Sequence, residues 1–352
     1  MKILVLGGGH QGRVIATDLA GSLDSAQIVV ADVRQPALPS LANLSWTLAD
    51  LSDPVSAARL MVRYDLVVGA LPARLGYAAM RAAIEAGKDM VDVSFSAEDP
   101  LTLDNEARAA GVAILPDCGL APGLSHLLAG HSVATRGTPD EIVIYVGGVA
   151  QDKTRPYGYV VTWAVEDLLE EYVRPARIVK DGQPATVPVF SGMETLQIEG
   201  VGAMEAFLSD GLRTAIQTLP GVRNMAEKTL RWPGHVEAVK PLVAAGKLLE
   251  EFHARCEFAP PEDLVVLLVR VRRGDRVEEA QLVDRYDPAT GLTAMARTTA
   301  LTTSVAAQWV AAGGVLEHGV LPLERVGRDP DAFDFFRDRL AQRGVHLHWT
   351  EA

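Results

Sequence analysis

Met1-Lys2-Ile3-Leu4-Val5-Leu6-Gly7-Gly8-Gly9-His10-Gln11-Gly12 is the stretch that decides the fold class of this chain. A short apolar run reads as a strand, and closely spaced glycines then open a helix. Gly7 permits a tight turn, Gly9 lets backbone approach a pyrophosphate, and Gly12 allows helix and strand to pack closely. Together with His10 and Gln11 they present N–H groups at a helix start, where the dipole favours an anion. Asp32 ends the next apolar run, and a carboxylate there suits the ribose hydroxyls of an adenine dinucleotide, with Val33 beside it. The same carboxylate repels a 2′-phosphate, so the pattern predicts NAD, with NADP less favoured.

Working outward, Ile3–Leu6, Ile28–Ala31, Trp46–Leu48, Leu66–Val68, Met90–Val93 and Val112–Leu115 are runs of strand length. Several are apolar on both faces, as in a parallel sheet covered on both sides. Helical patterns at 11–20, 53–63, 75–87 and 102–110 separate them, two of them ending at Gly87 and Gly111. This alternation predicts an α/β, Rossmann-type doubly wound parallel sheet. Further cofactor contacts are expected where its strands end, at Asp50 and Leu51 near the adenine and at Leu71, Pro72 and Ser94 toward the nicotinamide.

After Pro116 the pattern changes. Glu141–Val149, Arg177–Val189, Met193–Ile198, Met225–Trp232 and Asp263–Arg272 read as strands, the last turning through Arg273–Arg276 into Glu278–Tyr286. Helices are expected near Pro122-Gly123 and at 162–173, 204–218 and 235–251. A second α+β domain with a mainly antiparallel sheet follows. Helical patterns at Leu292–Ala312 and Pro330–Arg343, with a strand at Val345–Trp349, are assigned back to the first domain. The expected division is 1–121 with 293–352 for dinucleotide binding, and 122–292 for substrate binding and dimerisation.

With 33 Lys+Arg against 45 Asp+Glu the net charge is −12, which disfavours nucleic acid or an anionic membrane as partner. The 48% apolar and 22% charged composition is that of a globular chain. Two cysteines, Cys118 and Cys256, support neither a disulfide framework nor a cysteine-rich zinc site, and no metal is expected; His346 and His348 lack a third ligand. Four apolar residues before Gly7 are too few for a signal-peptide core, so a cytoplasmic location is expected. The partner expected is a small molecule, in a homo-oligomer of two or more chains.

Val91–Phe95, Asp117–Ser125 (Asp-Cys-Gly-Leu-Ala-Pro-Gly-Leu-Ser), Thr162–Leu168 and Lys228–His235 (Lys-Thr-Leu-Arg-Trp-Pro-Gly-His), with the glycine loop, carry a resemblance. The sequence resembles the saccharopine dehydrogenase-like family and within it is most similar to the L-lysine 6-dehydrogenases. The resemblance implies a bilobal NAD(P)-dependent enzyme acting on a C–N bond of a lysine-like substrate in a cleft. The saccharopine branch carries Asp before its Pro-Gly, where this chain has Ala121, which favours the lysine 6-dehydrogenase branch. The expected activity is NAD-dependent oxidative deamination of the L-lysine side chain with ammonia release. The rivals are a saccharopine-type C–N oxidoreductase and a non-catalytic NAD-binding regulator.

Such chemistry needs a grip on the substrate carboxylate and a proton acceptor. Arg231 supplies a planar fork for a carboxylate, Thr229 shares its strand face, and Thr-Leu-Arg resembles the family's substrate-binding segment. Glu166 and Asp167 open a helical stretch that continues to Glu170 and Glu171; such a charge run reads as a solvated face, while acidic side chains at a cleft, Glu166 first among them, would suit a cationic substrate. Asp92 and Asp117 end consecutive strands and should approach the cleft, and His235 titrates in the useful range, so these three are the expected catalytic residues. His126 and Cys118 read as packing residues.

Overall fold

The computed structural model describes residues 1–163, 165–315 and 317–351, without the Glu166 side chain. The chain divides into two compact units, Met1–Leu127 with Thr299–Gly344, and Leu128–Thr298 with Val345–Ala352.

In the first unit β1 (Lys2–Leu6), α1 (His10–Ser22), β2 (Gln27–Asp32), β3 (Leu44–Leu48), α2 (Pro54–Met61), β4 (Leu66–Gly69), α3 (Ala73–Glu85), β5 (Asp89–Asp92), α4 (Asp104–Ala110) and β6 (Ala113–Leu115) follow one another. Asp53 caps α2 by accepting from the Val55 and Ser56 amides, with Pro54 in the first turn. Gly111 ends α4 in the left-handed region. On one face of the sheet Leu4, Leu6, Val67 and Ile114 pack with Ala79, Ala82 and Ala83 of α3, and Ile3, Val5, Ile28 and Val30, which alternate to the other face, are buried as well. The chain returns to this unit late, as most of α10 (Ala294–Ala311), then β15 (Gly319–Val320), α11 (Leu323–Val326) and α12 (Pro330–Ala341). The parallel sheet runs β15-β6-β5-β4-β1-β2-β3. From β1 the chain proceeds to β2 on one side, while β4 lies on the other. That reversal opens a crevice at the carboxyl edge beside the glycine loop.

The second unit takes up most of α5 (Leu124–Arg136), then β7 (Glu141–Ala150), α6 (Val165–Val173), β8 (Ala176–Lys180), β9 (Gln183–Val187), β10 (Glu194–Ile198), β11 (Gly202–Ser209), α7 (Ala215–Thr218), β12 (Asn224–Arg231), α8 (His235–Ala244), α9 (Leu248–Arg255), β13 (Asp263–Arg273), β14 (Arg276–Arg285) and β16 (His348–Glu351). Its sheet is mixed, ordered β10-β11-β12-β7-β13-β14-β16, with β12 and β7 parallel and β8 and β9 added beside β12.

Four expectations need correction. The helix expected over 204–218 starts instead within β11, which pairs with β10 and β12 through backbone ladders that no local pattern announces; only Ala215–Thr218 is helical. The strand expected over Arg177–Val189 is a hairpin, turned by Asp181-Gly182 with both residues at positive φ. The helix expected over 235–251 breaks at Gly246, φ +64°, into α8 and α9. The terminal strand expected in the first domain instead pairs antiparallel with β14, from Glu278↔Glu351 to Gln281↔His348, where it satisfies the free edge of that strand. The unit boundaries accordingly lie at 127/128, 298/299 and 344/345, not at 121/122 and 292/293.

Among the described residues no helix is long and apolar enough to cross a membrane.

Candidate active site

The site residues read from the sequence fall into two groups, one in each unit. In the first unit Gly7 turns at φ +93° and its amide donates to the Ala31 carbonyl at 2.8 Å, locking the loop onto β2. A side chain at Gly12 would overlap the Gly7 carbonyl, whereas one at Gly9 would meet no protein atom within 4 Å. The loop is thus crowded from within and open outward at Gly9. Asp32 accepts from the Gly8 amide at 2.6 Å and the Arg34 amide at 2.9 Å, so the expected ribose ligand also braces the loop. His10 and Val33 are exposed, Gln11 and Leu71 half-buried, Leu51 buried and Pro72 the exposed residue before α3. Asp50 is exposed and holds the Ser52 amide and hydroxyl, a turn role, while Asp53 caps the following helix.

Among the described residues of this unit, the enclosed side-chain oxygens Gln11 Oε1, Asp92 Oδ2 and Ser96 Oγ lack a partner. Unsatisfied buried oxygens are costly, and these follow the glycine turn and the end of β5, where a dinucleotide fits the fold. The residues present therefore suit such a group. Gly7, Gly9, Gly12 and Asp32 would hold its phosphate and ribose half.

Asp92 ends β5 fully buried. Its Oδ1 accepts from the Ser94 amide at 2.9 Å and from the Ser94 hydroxyl, and side chains at Gly69 or Gly76 would overlap Asp92 or Ser94. The Cys118 amide donates to the Asp92 carbonyl at 2.8 Å, which brings Asp117, buried and at φ +56°, to the same sheet edge. Burial pushes the Asp92 carboxyl up to about 7, with Ser94 opposing and the Asp117 charge adding to the rise. A carboxyl raised in the fold is favoured there as the neutral acid. Its ionisation weakens the fold progressively as pH climbs from about 4 to about 7. Asp92→Asn is therefore expected to melt above the parent by a margin several degrees wider at pH 8 than at pH 4.5, at about 2–4 °C per kcal/mol. A margin independent of pH in paired thermal melts contradicts this.

In the second unit Arg231 is 2% exposed at the end of β12. Its Nε donates to the Tyr172 hydroxyl at 2.8 Å, Nη1 to the Leu230 carbonyl at 2.9 Å, and Nη2 to Glu171 at 2.6 Å. His235 Nδ1 lies 2.7 Å from the Tyr157 carbonyl, which can only accept, so Nδ1 carries the proton. Nε2 then accepts from the Tyr172 hydroxyl at 2.9 Å, completing a chain from Arg231 through Tyr172 to His235. Tyr159, Tyr172, Phe207 and Phe252 wall this cluster.

This arrangement corrects two expectations. His235 does not titrate in the useful range: burial, then the Arg231 charge, lower it to about 3, and both ring nitrogens are engaged. It positions Tyr172. Glu171, expected on a solvated face, reaches Arg231 because α6 lies against β12. Thr229 is buried on the Arg231 face. The Glu166 side chain lies outside the described residues. Tyr172, Glu171 and Ser96 were not legible as site residues, since nothing local distinguishes a helix tyrosine or a loop serine that faces inward. Among the described residues no group of three His, Cys, Asp or Glu side chains is arranged for a metal.

The family model described as saccharopine dehydrogenase NADP binding domain matches residues 3–115, and that described as saccharopine dehydrogenase C-terminal domain matches 119–345. The chain is 26% identical over 264 residues to the saccharopine dehydrogenase (NADP(+), L-glutamate-forming) of Saccharomyces cerevisiae, covering 71% of this chain and 59% of that protein. It is 25% identical over 271 residues to the protein of that name from Pyricularia oryzae, covering 71% and 58%. With the mitochondrial alpha-aminoadipic semialdehyde synthase of Bos taurus it is 24% identical over 267 residues, covering 70% and 28%. The chain thus spans less than two thirds of the curated relatives it matches. The solved apo histidine-tagged saccharopine dehydrogenase (L-Glu forming) from Saccharomyces cerevisiae shares the fold, with a TM-score of 0.79 at 19% identity over 100% of this chain and 99% of that one.

Proposed function

As this chain belongs to the saccharopine dehydrogenase family, oxidoreductases acting on C–N bonds, we propose that it oxidatively deaminates the side-chain amine of L-lysine or a close analogue. L-lysine, NAD and water then give the ε-semialdehyde, ammonium, NADH and a proton. The observation that carries this reading is Asp92, a buried carboxyl brought near neutrality on the sheet edge that follows the glycine loop. A group with that affinity accepts a proton from an amine at working pH, with Asp117 as its neighbour. When bound, the dinucleotide supplies the hydride acceptor. Arg231 and Thr229 hold the substrate carboxylate. The choice of lysine over saccharopine rests on Ala121, an apolar side chain at the position where the saccharopine branch carries an acid.

The deciding assay incubates the protein with NAD and either L-lysine or saccharopine. One ammonia per NADH from L-lysine, with no 2-oxo acid present, supports the reading. Glutamate from saccharopine with lysine inert reverses it, and binding of NAD without turnover of any amino acid leaves a regulator.

The proposed cofactor is NAD, although the names of the fungal relatives specify NADP(+). Asp32 supports NAD because its carboxylate repels a 2′-phosphate. Asp32→Ala should shift the ratio of kcat/KM values for NAD and NADP toward NADP by about tenfold or more, the scale of one lost charge-assisted contact. Equal or better use of NADP by the parent removes the argument.

A further inference from the structure

Arg231 is pinned at all three guanidinium nitrogens, by the Tyr172 hydroxyl, the Leu230 carbonyl and Glu171. Its Cζ also lies 5.4 Å from the centre of the Tyr159 ring and 5.5 Å from that of Tyr172. A guanidinium has five N–H groups, so these contacts fix the directions of those that are left. The Tyr172 contact has a polarity. The phenol accepts from Arg231 with a lone pair, and its own proton goes to His235 Nε2, 2.9 Å away. Nε2 accepts only while Nδ1 holds the ring proton, and the Tyr157 carbonyl, 2.7 Å from Nδ1, keeps it there. Tyr157 itself sits at φ +57°, a left-handed conformation that is unfavourable for a residue with a side chain. The surroundings hold it so: a side chain at Gly158, φ +59°, would overlap the Trp232 ring, and the Tyr157 hydroxyl donates to Glu251 at 3.0 Å. The strained turn is thus wedged against the residue that follows Arg231.

We propose that Tyr172 is a positioning residue that aims Arg231 at the substrate carboxylate, and that the strained Tyr157 turn sets the direction of this relay through the tautomer of His235. The proposal rests on the carboxylate role given to Arg231 above. The observed order uses each proton once: Arg231 Nε–H to Tyr172, Tyr172 O–H to His235, and His235 Nδ1–H to the Tyr157 carbonyl. With its proton on Nε2 instead, His235 would donate to the phenol oxygen, and the phenol proton would lose its acceptor inside an aromatic wall. Burial and the Arg231 charge keep His235 neutral, so the imidazole remains an acceptor. A chain with one allowed polarity holds the guanidinium plane more firmly than separate contacts do. The gain is selectivity, since a fixed arginine favours a diamine that carries a carboxylate over the same diamine without one.

The test has two arms. In kinetics the quantity read is the ratio of kcat/KM for L-lysine to that for 1,5-diaminopentane. Tyr172→Phe, which removes one oxygen, should lower this ratio by about ten- to a hundredfold, the scale of one hydrogen bond to a charged group, and chiefly through KM for lysine. His235→Leu should do the same, and adding it to Tyr172→Phe should lower the ratio no further, because both break one chain. His235→Gln, which keeps an acceptor oxygen for the phenol, should stay close to the parent. Equal loss on both substrates, additive losses, or a Gln variant as impaired as the Leu variant overturns the proposal. The second arm needs no turnover. In protein labelled with 15N-histidine at pH 7, the His235 ring, assigned by its absence in His235→Gln, should carry its proton on Nδ1. Tyr172→Phe should shift the Nε2 signal. A proton on Nε2, or an Nε2 signal that Tyr172→Phe leaves unmoved, overturns the proposal. If the parent fails to oxidise L-lysine, the functional reading falls while the ring signals still decide the relay. If Tyr172→Phe does not fold, the comparison of His235→Leu with His235→Gln and the parent's ring signals decide it.

Discussion

Gly9→Val should leave the fold unchanged while lowering dinucleotide affinity by a hundredfold or more. A Cβ added at Gly9 meets no protein atom within 4 Å beyond its chain neighbours, so the fold leaves space for a side chain there. The same open volume is where the glycine loop lets a pyrophosphate approach the backbone, and branched carbons there hold the phosphates off the helix N-terminus. A hundredfold loss is about 2.7 kcal/mol, the scale of one or two charge-assisted hydrogen bonds. Gly12→Val is the contrasting variant. Its side chain would overlap the Gly7 carbonyl, so thermal stability and affinity should fall together. Melting curves and cofactor titrations of the two variants separate the cases. An unaltered affinity in Gly9→Val places the cofactor elsewhere.

Arg231→Ala should lower kcat/KM for L-lysine by about a hundredfold and also cost stability. Loss of a bidentate carboxylate contact is worth roughly 1.5–3 kcal/mol, at 1.4 kcal/mol per factor of ten. The structure adds a second effect, because Arg231 is paired with Glu171 and anchors Tyr172. Removing one partner of a buried pair costs roughly 3–5 kcal/mol, and the partial exposure of Glu171 puts this case toward the lower end. Arg231→Ala combined with Glu171→Gln removes the stranded charge and should recover part of the melting temperature but none of the activity. Arg231→Lys keeps the charge without the fork and should recover activity only in part. 1,5-Diaminopentane, which has no carboxylate, should be a poor substrate of the parent and lose little further in Arg231→Ala. Equal loss for lysine and the diamine makes Arg231 structural. Dinucleotide binding should not change, since the residues proposed to hold it, Gly7, Gly9, Gly12 and Asp32, lie in the first unit.

Local sequence carried the parallel sheet, its glycine loop and most helices, because these elements announce themselves through short-range patterns. Apolar runs on both faces mark β1, β2, β4 and β5, a glycine marks the ends of α3 and α4, and the Gly7–Gly12 spacing has one steric solution. The positions of Asp92 and Arg231 at strand ends, and of Asp117 just beyond β6, were legible for the same reason, since the pattern already gives the direction of those strands. Where a strand owes its existence to distant partners, local reading failed. β11 is rich in Ala, Met and Leu, good helix formers, yet it lies between β10 and β12 and satisfies its backbone there. β16 likewise depends on the free edge of β14, far away in sequence.

The protonation states at the site belong to tertiary structure alone. The sequence by itself determined that a dinucleotide-type sheet opens this chain, that a second sheet follows, and that carboxylates and an arginine end the relevant strands. It assigned His235 an ordinary imidazole and Glu171 a place in water, because isolated residue types carry only their solution chemistry. Packing α6 and α8 against β12 desolvates His235 beside a fixed cation, and it turns Glu171 toward Arg231. Burial beneath Gly69 and beside Asp117 raises Asp92 toward neutrality. The free energy of a charge depends on the polarity and charges within a few ångströms of it, and those neighbours come from residues that only the folded chain brings together.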